Sequence, residues 1–301
     1  MIDEAAIKVG RPARDGAAAL CDPWVMSGYD LHTHSTFSDG TQTITQNVAM
    51  AIERGLAGIA ITDHDTTAGY AEAYAAAEGT DLEIIPGIEF SAEYEGASLH
   101  VLAYFVDPEN AGLRDELKRL TDTRFRRGEL MVEKLQDLGY NISFDRVREI
   151  AGDDLIARPH IAQAMVEAGI VTQEKEAFDR FISDGGIAYV PKHALDPTDA
   201  LALIKGAGGV CVLAHPAMWK GNGSVPDGLI EQMAASGMVG LEVNHPDHDT
   251  GQRAYYGALA ERLGLIPTGA SDCHGARYGY RLGCDTTGAD RVAELRVRAA
   301  R

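Results

Sequence analysis

The chain has 301 residues, with 27 Lys+Arg against 45 Asp+Glu, and a formal net charge of −18. Hydrophobic residues at 45% and charged residues at 24% are ordinary for a globular chain with a sizeable core. The acidic excess argues against a long nucleic-acid track or an anionic membrane as partner, because both need basic surface.

Residues 1–28 read as a loosely patterned arm. Met1-Ile2-Asp3-Glu4 begins without an apolar core, so no secretory signal is expected. No apolar run reaches the roughly 18 residues that a membrane span needs. The four cysteines, Cys21, Cys211, Cys273 and Cys284, include no CxxC pair and make no disulfide scaffold. A reduced, cytoplasmic setting is expected.

From Tyr29 onward short apolar runs alternate with helical patterns. The predicted strands are 29–33, 58–62, 82–90, 99–106, 209–214, 239–244 and 265–270. Helical spacing falls at 44–54, 68–77, 197–207, 228–236 and 252–263. Such alternation predicts parallel pairing and an α/β architecture, either a barrel or a doubly wound sheet. From 107 to 189 the rhythm breaks. Residues 113–138 read as one long charged helix, followed by shorter ones at 144–151, 159–168 and 175–182. The expected organisation is therefore an arm at 1–28, a barrel formed by 29–106 and 190–301, and a helical insert at 107–189.

The histidines carry the chemistry. His32 and His34 stand two apart in Asp30-Leu31-His32-Thr33-His34, so in a strand they share a face, as two metal ligands must. Asp39 follows in a loop. Thr62-Asp63-His64-Asp65 ends the second strand, with His64 as ligand and Asp63 and Asp65 as carboxylates that would orient it. Glu89 lies inside an apolar run, where a lone carboxylate is costly and a cation would remove the cost. His100 is embedded in the next run. His215 ends a strand before Pro216, and Asp272 and His274 end the last. These nine candidates are six imidazoles and three carboxylates, more than one tetrahedral site can use. Two or three cations of the Mn, Zn, Fe or Mg kind fit better, and nitrogen–oxygen ligation without thiolate leaves the identity open.

The motifs Asp-Leu-His-Thr-His-Ser with Ser-Asp-Gly, Thr-Asp-His-Asp, Pro-Gly-Ile-Glu, Leu-His-Val-Leu, Ala-His-Pro and Ser-Asp-Cys-His resemble the PHP family, named for polymerase and histidinol phosphatase. The resemblance runs from about residue 30 to 281. It implies a distorted (β/α)7 barrel with a trinuclear metal site at the C-terminal face, capped by the insert. It implies that His32, His34, Glu89 and Asp272 hold one metal. Glu89 would bridge to a second with His100 and His215, and Asp39, His64 and His274 would hold a third. Asp39 stands where some relatives have His, which resembles the branch of nucleoside 3′,5′-bisphosphate phosphatases, 5′-nucleotide phosphatases and 5′-to-3′ oligoribonucleases. The segments at 157–162 and 188–192 look like the insert of that branch.

The resemblance thus implies a metal-dependent phosphoesterase that hydrolyses a phosphomonoester of a small nucleotide by metal-activated hydroxide. Arg158, His160 and Lys192 are candidate phosphate contacts, helped by a helix N-terminus. Arg124 and Arg127 share a helix face that is expected to be solvated. His248 is a candidate contact to the leaving group, and His245 is undecided. Tyr278 and Tyr280 are candidates for stacking on a base, ahead of Phe37 and Tyr94. The alternatives are histidinol-phosphate phosphatase, a 5′-to-3′ exonuclease on short RNA, and an inactive PHP module. Nine competent donors speak against the last. The bound cations would invert the field of an acidic chain locally, so a small phosphate ester is compatible with the −18.

Overall fold

The computed structural model describes residues 28–152, 156–191, 194–219 and 223–300. The arm and Lys192 therefore lie outside the described residues, apart from Gly28. Seven strands form one sheet in sequence order: β1 Tyr29–Asp30, β2 Gly58–Ile61, β3 Glu83–Tyr94, β4 Ala97–Tyr104, β5 Val210–Leu213, β6 Gly240–Asn244 and β7 Ile266–Gly269. Beyond β1 the chain bonds to the segment after β7. The His34 amide donates to the Cys273 carbonyl at 2.9 Å, and Thr33 and Cys273 form a parallel bridge. These bonds nearly close the sheet into a barrel.

The pairing corrects one expectation. β3 runs on to Tyr94 and returns through Glu95 and Gly96 into β4, so β4 is antiparallel to both β3 and β5. Both turn residues have positive φ, at 51° and 78°. That is the backbone of a tight hairpin, and glycine supplies one of the two positions without strain. The reversal matters for the site. His100 lies near the start of β4, opposite Ser91. It therefore reaches the rim where the parallel strands end.

Strand alternation sorts the residues into two layers. Ile59, Ile61, Ile88, Phe90, Val101, Leu213 and Leu241 join the core packed against the outer helices. Leu31, Ala60, Ile85, Leu102, Val212 and Ile266 form a second cluster. Glu89, His100 and Glu242 share the inner parity with Ile85, Leu102 and their neighbours.

The helices are α1 Ile44–Glu53, α2 Tyr70–Ala77, α3 Ala111–Asp137, α4 Phe144–Ala151, α5 Arg158–Glu167, α6 Glu174–Ala177, α7 Pro197–Gly206, α8 Asp227–Ala235, α9 Thr250–Leu263 and α10 Ala289–Ala299. α6 continues as a π turn over Phe178–Ile182. α10 has no counterpart in the sequence reading. Its Val292 and Leu295 join Leu31 and Ala60 in the inner cluster, against β5 and β7.

The insert has a core of its own. α3 bridges the two regions, with Leu113, Leu117 and Leu120 in the barrel core. Its Met131, Val132 and Leu135 pack with Val147, Ile161, Met165 and Phe181. No helix among the described residues is long and apolar enough to cross a membrane. Cys211 and Cys273 are buried thiols, whereas Cys284 is disulfide-bonded. That bond departs from the expectation of a fully reduced chain.

Candidate metal centre

All nine predicted ligands meet at one rim of the barrel. Their donor atoms fall into four overlapping groups, each with its atoms within 4.8 Å of one another: His34–Asp39–His64–His274, His32–Glu89–His215, His32–His34–Asp272 and His64–Glu89–His100. Glu89 is the hub. Its Oε2 lies 3.3 Å from His32 Nε2, 3.1 Å from His34 Nε2 and 3.0 Å from His64 Nδ1. Its Oε1 lies 2.7 Å from His100 Nδ1 and 3.1 Å from His215 Nε2. Asp272 Oδ1 stands 3.4 Å from His32 Nε2 and 3.3 Å from His34 Nε2. Asp39 Oδ1 stands 3.2 Å from His274 Nε2 and 3.9 Å from His64 Nε2.

Local backbone aims these side chains. His215 and Asp272, which follow strand ends, have φ of 23° and 49°, and Asp65 has 52°. Non-glycine residues rarely hold such angles, and they persist where surrounding structure fixes them. The buried amide of Asn47, on α1, donates to the His34 carbonyl at 2.9 Å. Gly40, after Asp39, passes so close to His34 that an added Cβ would sit 2.7 Å from its carbonyl oxygen.

Hydrogen bonds on the far side of the rings assign their lone pairs. His32 Nδ1–H donates to Glu242 Oε1 at 3.2 Å. His34 Nδ1–H donates to Ser38 Oγ at 3.4 Å, and that hydroxyl donates to Asp63 Oδ1 at 2.6 Å. His274 Nδ1–H donates to the Asp272 carbonyl at 3.0 Å. Each of the three rings therefore turns its Nε2 to the cluster, the atom a cation would take once any proton on it is displaced. His32 Nε2, His34 Nε2, His64 Nδ1, Asp39 Oδ1 and Asp272 Oδ1 are buried and make no hydrogen bond. Buried polar atoms left in this way are costly. Divalent cations among them would satisfy every one, so the residues fit the metals that the motifs imply.

The charges point the same way. Burial alone would raise the Glu89 carboxyl, but the imidazoles of His100, His64 and His32 outweigh it and hold it well below the usual range. Asp39 and Asp272 are likewise depressed, against burial, by His274 with His64 and by His32 with His274. Burial pulls His34 down, yet bonds to Asp272 and Glu89 lift it to about 10. Burial draws His64 to about 3, against the pull of Glu89 and Asp39. Carboxylates are thus ionised, and a bound cation would compete with protons on some of the imidazoles.

Several roles differ from the sequence reading. Asp63 orients His34 through Ser38 and does not touch the His64 ring. It also takes the amide and hydroxyl of Ser35, both at 2.7 Å. Asp65 accepts the Ser91 amide at 2.8 Å and pairs with Arg124, whose guanidinium also meets Ser91 Oγ. Arg124 is thus a strut between insert and rim, not part of a solvated face. Arg127 is also enclosed. Its Nε–H donates to the Val190 carbonyl at 2.6 Å, and burial lowers the guanidinium to about 10.

Arg158 turns into the insert, where it pairs with Asp184 at 2.8 Å and lies over Phe178 and Tyr189. It does not line the cleft. His160 is buried, with Nδ1 accepting the Ala157 amide at 3.2 Å, and burial lowers it to about 4. His248 is buried behind His245, donating from Nδ1 to the Val243 carbonyl at 3.0 Å, and it does not line the cleft. His245 closes on Asp272, with Nε2 at 3.5 Å from Oδ2. Tyr278 lines the cleft with its ring 5.4 Å from that of His274, whereas Tyr280 is exposed and outside it.

Glu242 was missed. It is fully buried on β6, holds His32, and accepts the His215 amide at 2.6 Å. It thereby fixes two predicted ligands from different strands. An acid inside Leu241-Glu242-Val243 was the signal, the same one that exposed Glu89. The ligands open into a cleft of about 270 Å³. Leu99, Ala214, Met218, Trp219 and Val225 are its apolar residues, and Asp247, Tyr278 and Arg281 are further lining residues. The insert borders this mouth without lining it. It is held by Arg124 to Asp65 and by Glu174 to Arg277.

A barrel with this ligand cluster defines a metal-dependent hydrolase. The PHP domain model matches residues 30–180. The chain is 32% identical over 257 residues to the 3′,5′-nucleoside bisphosphate phosphatase of Chromobacterium violaceum, covering 85% of this chain and 90% of that one. It is 32% identical over 246 residues to a 5′-3′ exoribonuclease of Haemophilus influenzae, covering 82% and 89%. A crystal structure described as a metal-dependent phosphoesterase of Bifidobacterium adolescentis superposes with a TM-score of 0.86 at 36% identity, covering 92% of this chain and 98% of that one. The chain belongs to the PHP family and is a metal-dependent phosphoesterase, a hydrolase acting on ester bonds.

Proposed function

We propose that the enzyme hydrolyses a phosphomonoester of a small nucleotide, of the AMP or nucleoside 3′,5′-bisphosphate type, with two or three divalent cations of the Mn, Zn, Fe or Mg kind. The observation that carries this reading is the joining of nine donors to a cleft of about 270 Å³, at the small end of ligand pockets. His32, His34, Glu89 and Asp272 would hold one cation, Glu89 with His100 and His215 a second, and Asp39, His64 and His274 a third. Bound there, the cations supply the Lewis acidity that polarises a phosphoryl oxygen and lowers the pKa of water.

The chain's own residues supply placement. Glu242, Asp63 with Ser38, and the Asp272 carbonyl hold His32, His34 and His274 with Nε2 inward. The apolar lining would take the leaving group and thin out water near the reacting phosphorus. His160 and Tyr278 remain candidate substrate contacts, and residues 107–189 are taken as the cap. The relatives named as exoribonucleases make a 5′-phosphorylated short RNA the second reading. We place the enzyme in the cytoplasm. The test is to strip metal, confirm its removal, and assay AMP, adenosine 3′,5′-bisphosphate, histidinol phosphate and a short 5′-phosphorylated RNA before and after Mn or Zn is returned. Hydrolysis of a nucleotide monoester that disappears and returns supports the reading. Undiminished activity without metal, or preference for histidinol phosphate, overturns it.

A further inference from the structure

The barrel closes where β1 meets the segment after β7. β1 is a two-residue strand laddered to β2, and β7 is laddered to β6. The ligands of one candidate cation site straddle that join. His32 and His34 follow β1, whereas Asp272 follows β7, and Asp272 Oδ1 stands 3.4 Å and 3.3 Å from their Nε2 atoms. Whatever fixes the join therefore fixes those distances.

Asp30, the last residue of β1, is fully buried at the join. Its Oδ1 accepts the His32 amide at 3.3 Å and the Ser271 amide at 3.0 Å, and its Oδ2 accepts the Gly283 amide at 2.7 Å. One carboxylate thus gathers three stretches of chain: the end of β1, the exit of β7 and the loop ahead of α10. Ser271 immediately precedes Asp272, whose φ of 49° persists only where surrounding structure fixes it. An ionised carboxylate is all acceptor, so it serves several backbone donors without presenting one of its own. A carboxamide in its place would turn an NH2 group toward a backbone N–H. These bonds touch backbone alone, which separates Asp30 from Glu242 and its bond to the His32 ring.

We propose that Asp30 is a positioning residue: its carboxylate sets the spacing across the join between the His32–His34 pair and Asp272, and with it the affinity for the cation that those residues would hold. This rests on the metal-dependent reading above. Asp30 acts through backbone, so substrate binding should change less than metal binding.

The test compares Asp30→Asn with the wild-type full chain, both purified and folded by circular dichroism. Chelator titration with Mn should show affinity at the weakest-held site lowered roughly 10- to 100-fold, the scale for loss of a group that orients a ligand. At sub-saturating Mn kcat should fall while KM for AMP moves by less than about threefold, and excess Mn should restore most of kcat. A purely structural role would lower stability and leave metal affinity alone. Asp30→Glu, which keeps the charge and misplaces it by one methylene, should not rescue the affinity. Should neither variant fold, hydrogen exchange on the wild type decides. Adding Mn should slow the His32 and Ser271 amides roughly tenfold more than amides of α4 in the insert, because the cation and the carboxylate hold the same join. Unchanged Mn affinity in folded Asp30→Asn, or exchange slowed equally in both regions, overturns this proposal and leaves the metal reading standing. A wild type that binds no divalent metal overturns both.

Discussion

The barrel rim and the helical insert treat charge in opposite ways. At the rim, imidazoles and carboxylates converge in a buried cluster with donor atoms left unsatisfied. In the insert, arginines are matched one by one: Arg146 with Glu149 and Glu167, Arg158 with Asp184, Arg180 with Glu176. A fold has no structural reason to bury nine donors facing one another, so the rim is built for something added to it. The insert's described arginines are paired, within it or, for Arg124, to the rim, and its charge pattern alone gives no function.

Substitutions can break this comparison, starting with the largest expected effect. Glu89→Gln removes the carboxylate shared by five imidazoles. It should lower metal content and reduce kcat by roughly a thousandfold or more, on the scale of losing electrostatic transition-state support. Unchanged metal content in that variant would show that the rim does not depend on its hub. Glu242→Gln should weaken metal affinity about 10- to 100-fold, because it loosens His32 and the strained His215 without removing a ligand. Chelator titration measures it, and an affinity equal to wild type would reduce Glu242 to packing.

Arg124→Met takes the guanidinium away from the fully buried Asp65 carboxylate. A loss of about 3 kcal/mol in stability is expected, near the low end for a broken buried pair. Denaturant unfolding reads it, and a change within error would mean that the strut is idle. Arg158→Ala should change kcat/KM by less than about threefold, because its guanidinium faces Asp184 and not the cleft. A large loss there would move Arg158 back among the phosphate contacts.

Proton exchange offers a sharper view of the same contrast. Metal entry at neutral pH must displace protons from rings such as His34, which is lifted to about 10. Metal binding should therefore release protons and weaken as pH falls. Titration in two buffers of different ionisation enthalpy checks this, and no proton release would contradict the charge state derived for the rim.

Most of the rim was legible in the sequence because its rules are local. His32 and His34 share a face two residues apart, and Glu89 and His100 announce themselves as polar residues in apolar runs. Every predicted strand formed. The reversal of β4 was harder to read. Glu95-Gly96 is a weaker hairpin signal than Asn-Gly, and helical alternation elsewhere suggested parallel pairing throughout. α10 hid because only Val292 and Leu295 are buried in a stretch rich in Arg and Ala. The partners of Arg124, Arg158 and Asp63 could not be read at all. Those contacts join residues 59, 26 and 28 positions apart, and no local period encodes them.

The central claim is that the rim binds cations and that hydrolysis depends on them. Elemental analysis of the purified, dialysed chain, run beside its nucleotide phosphatase activity, tests it most directly. Two or three equivalents of divalent metal, lost together with activity on chelation and restored together, are predicted. Full activity with less than one equivalent bound would contradict it.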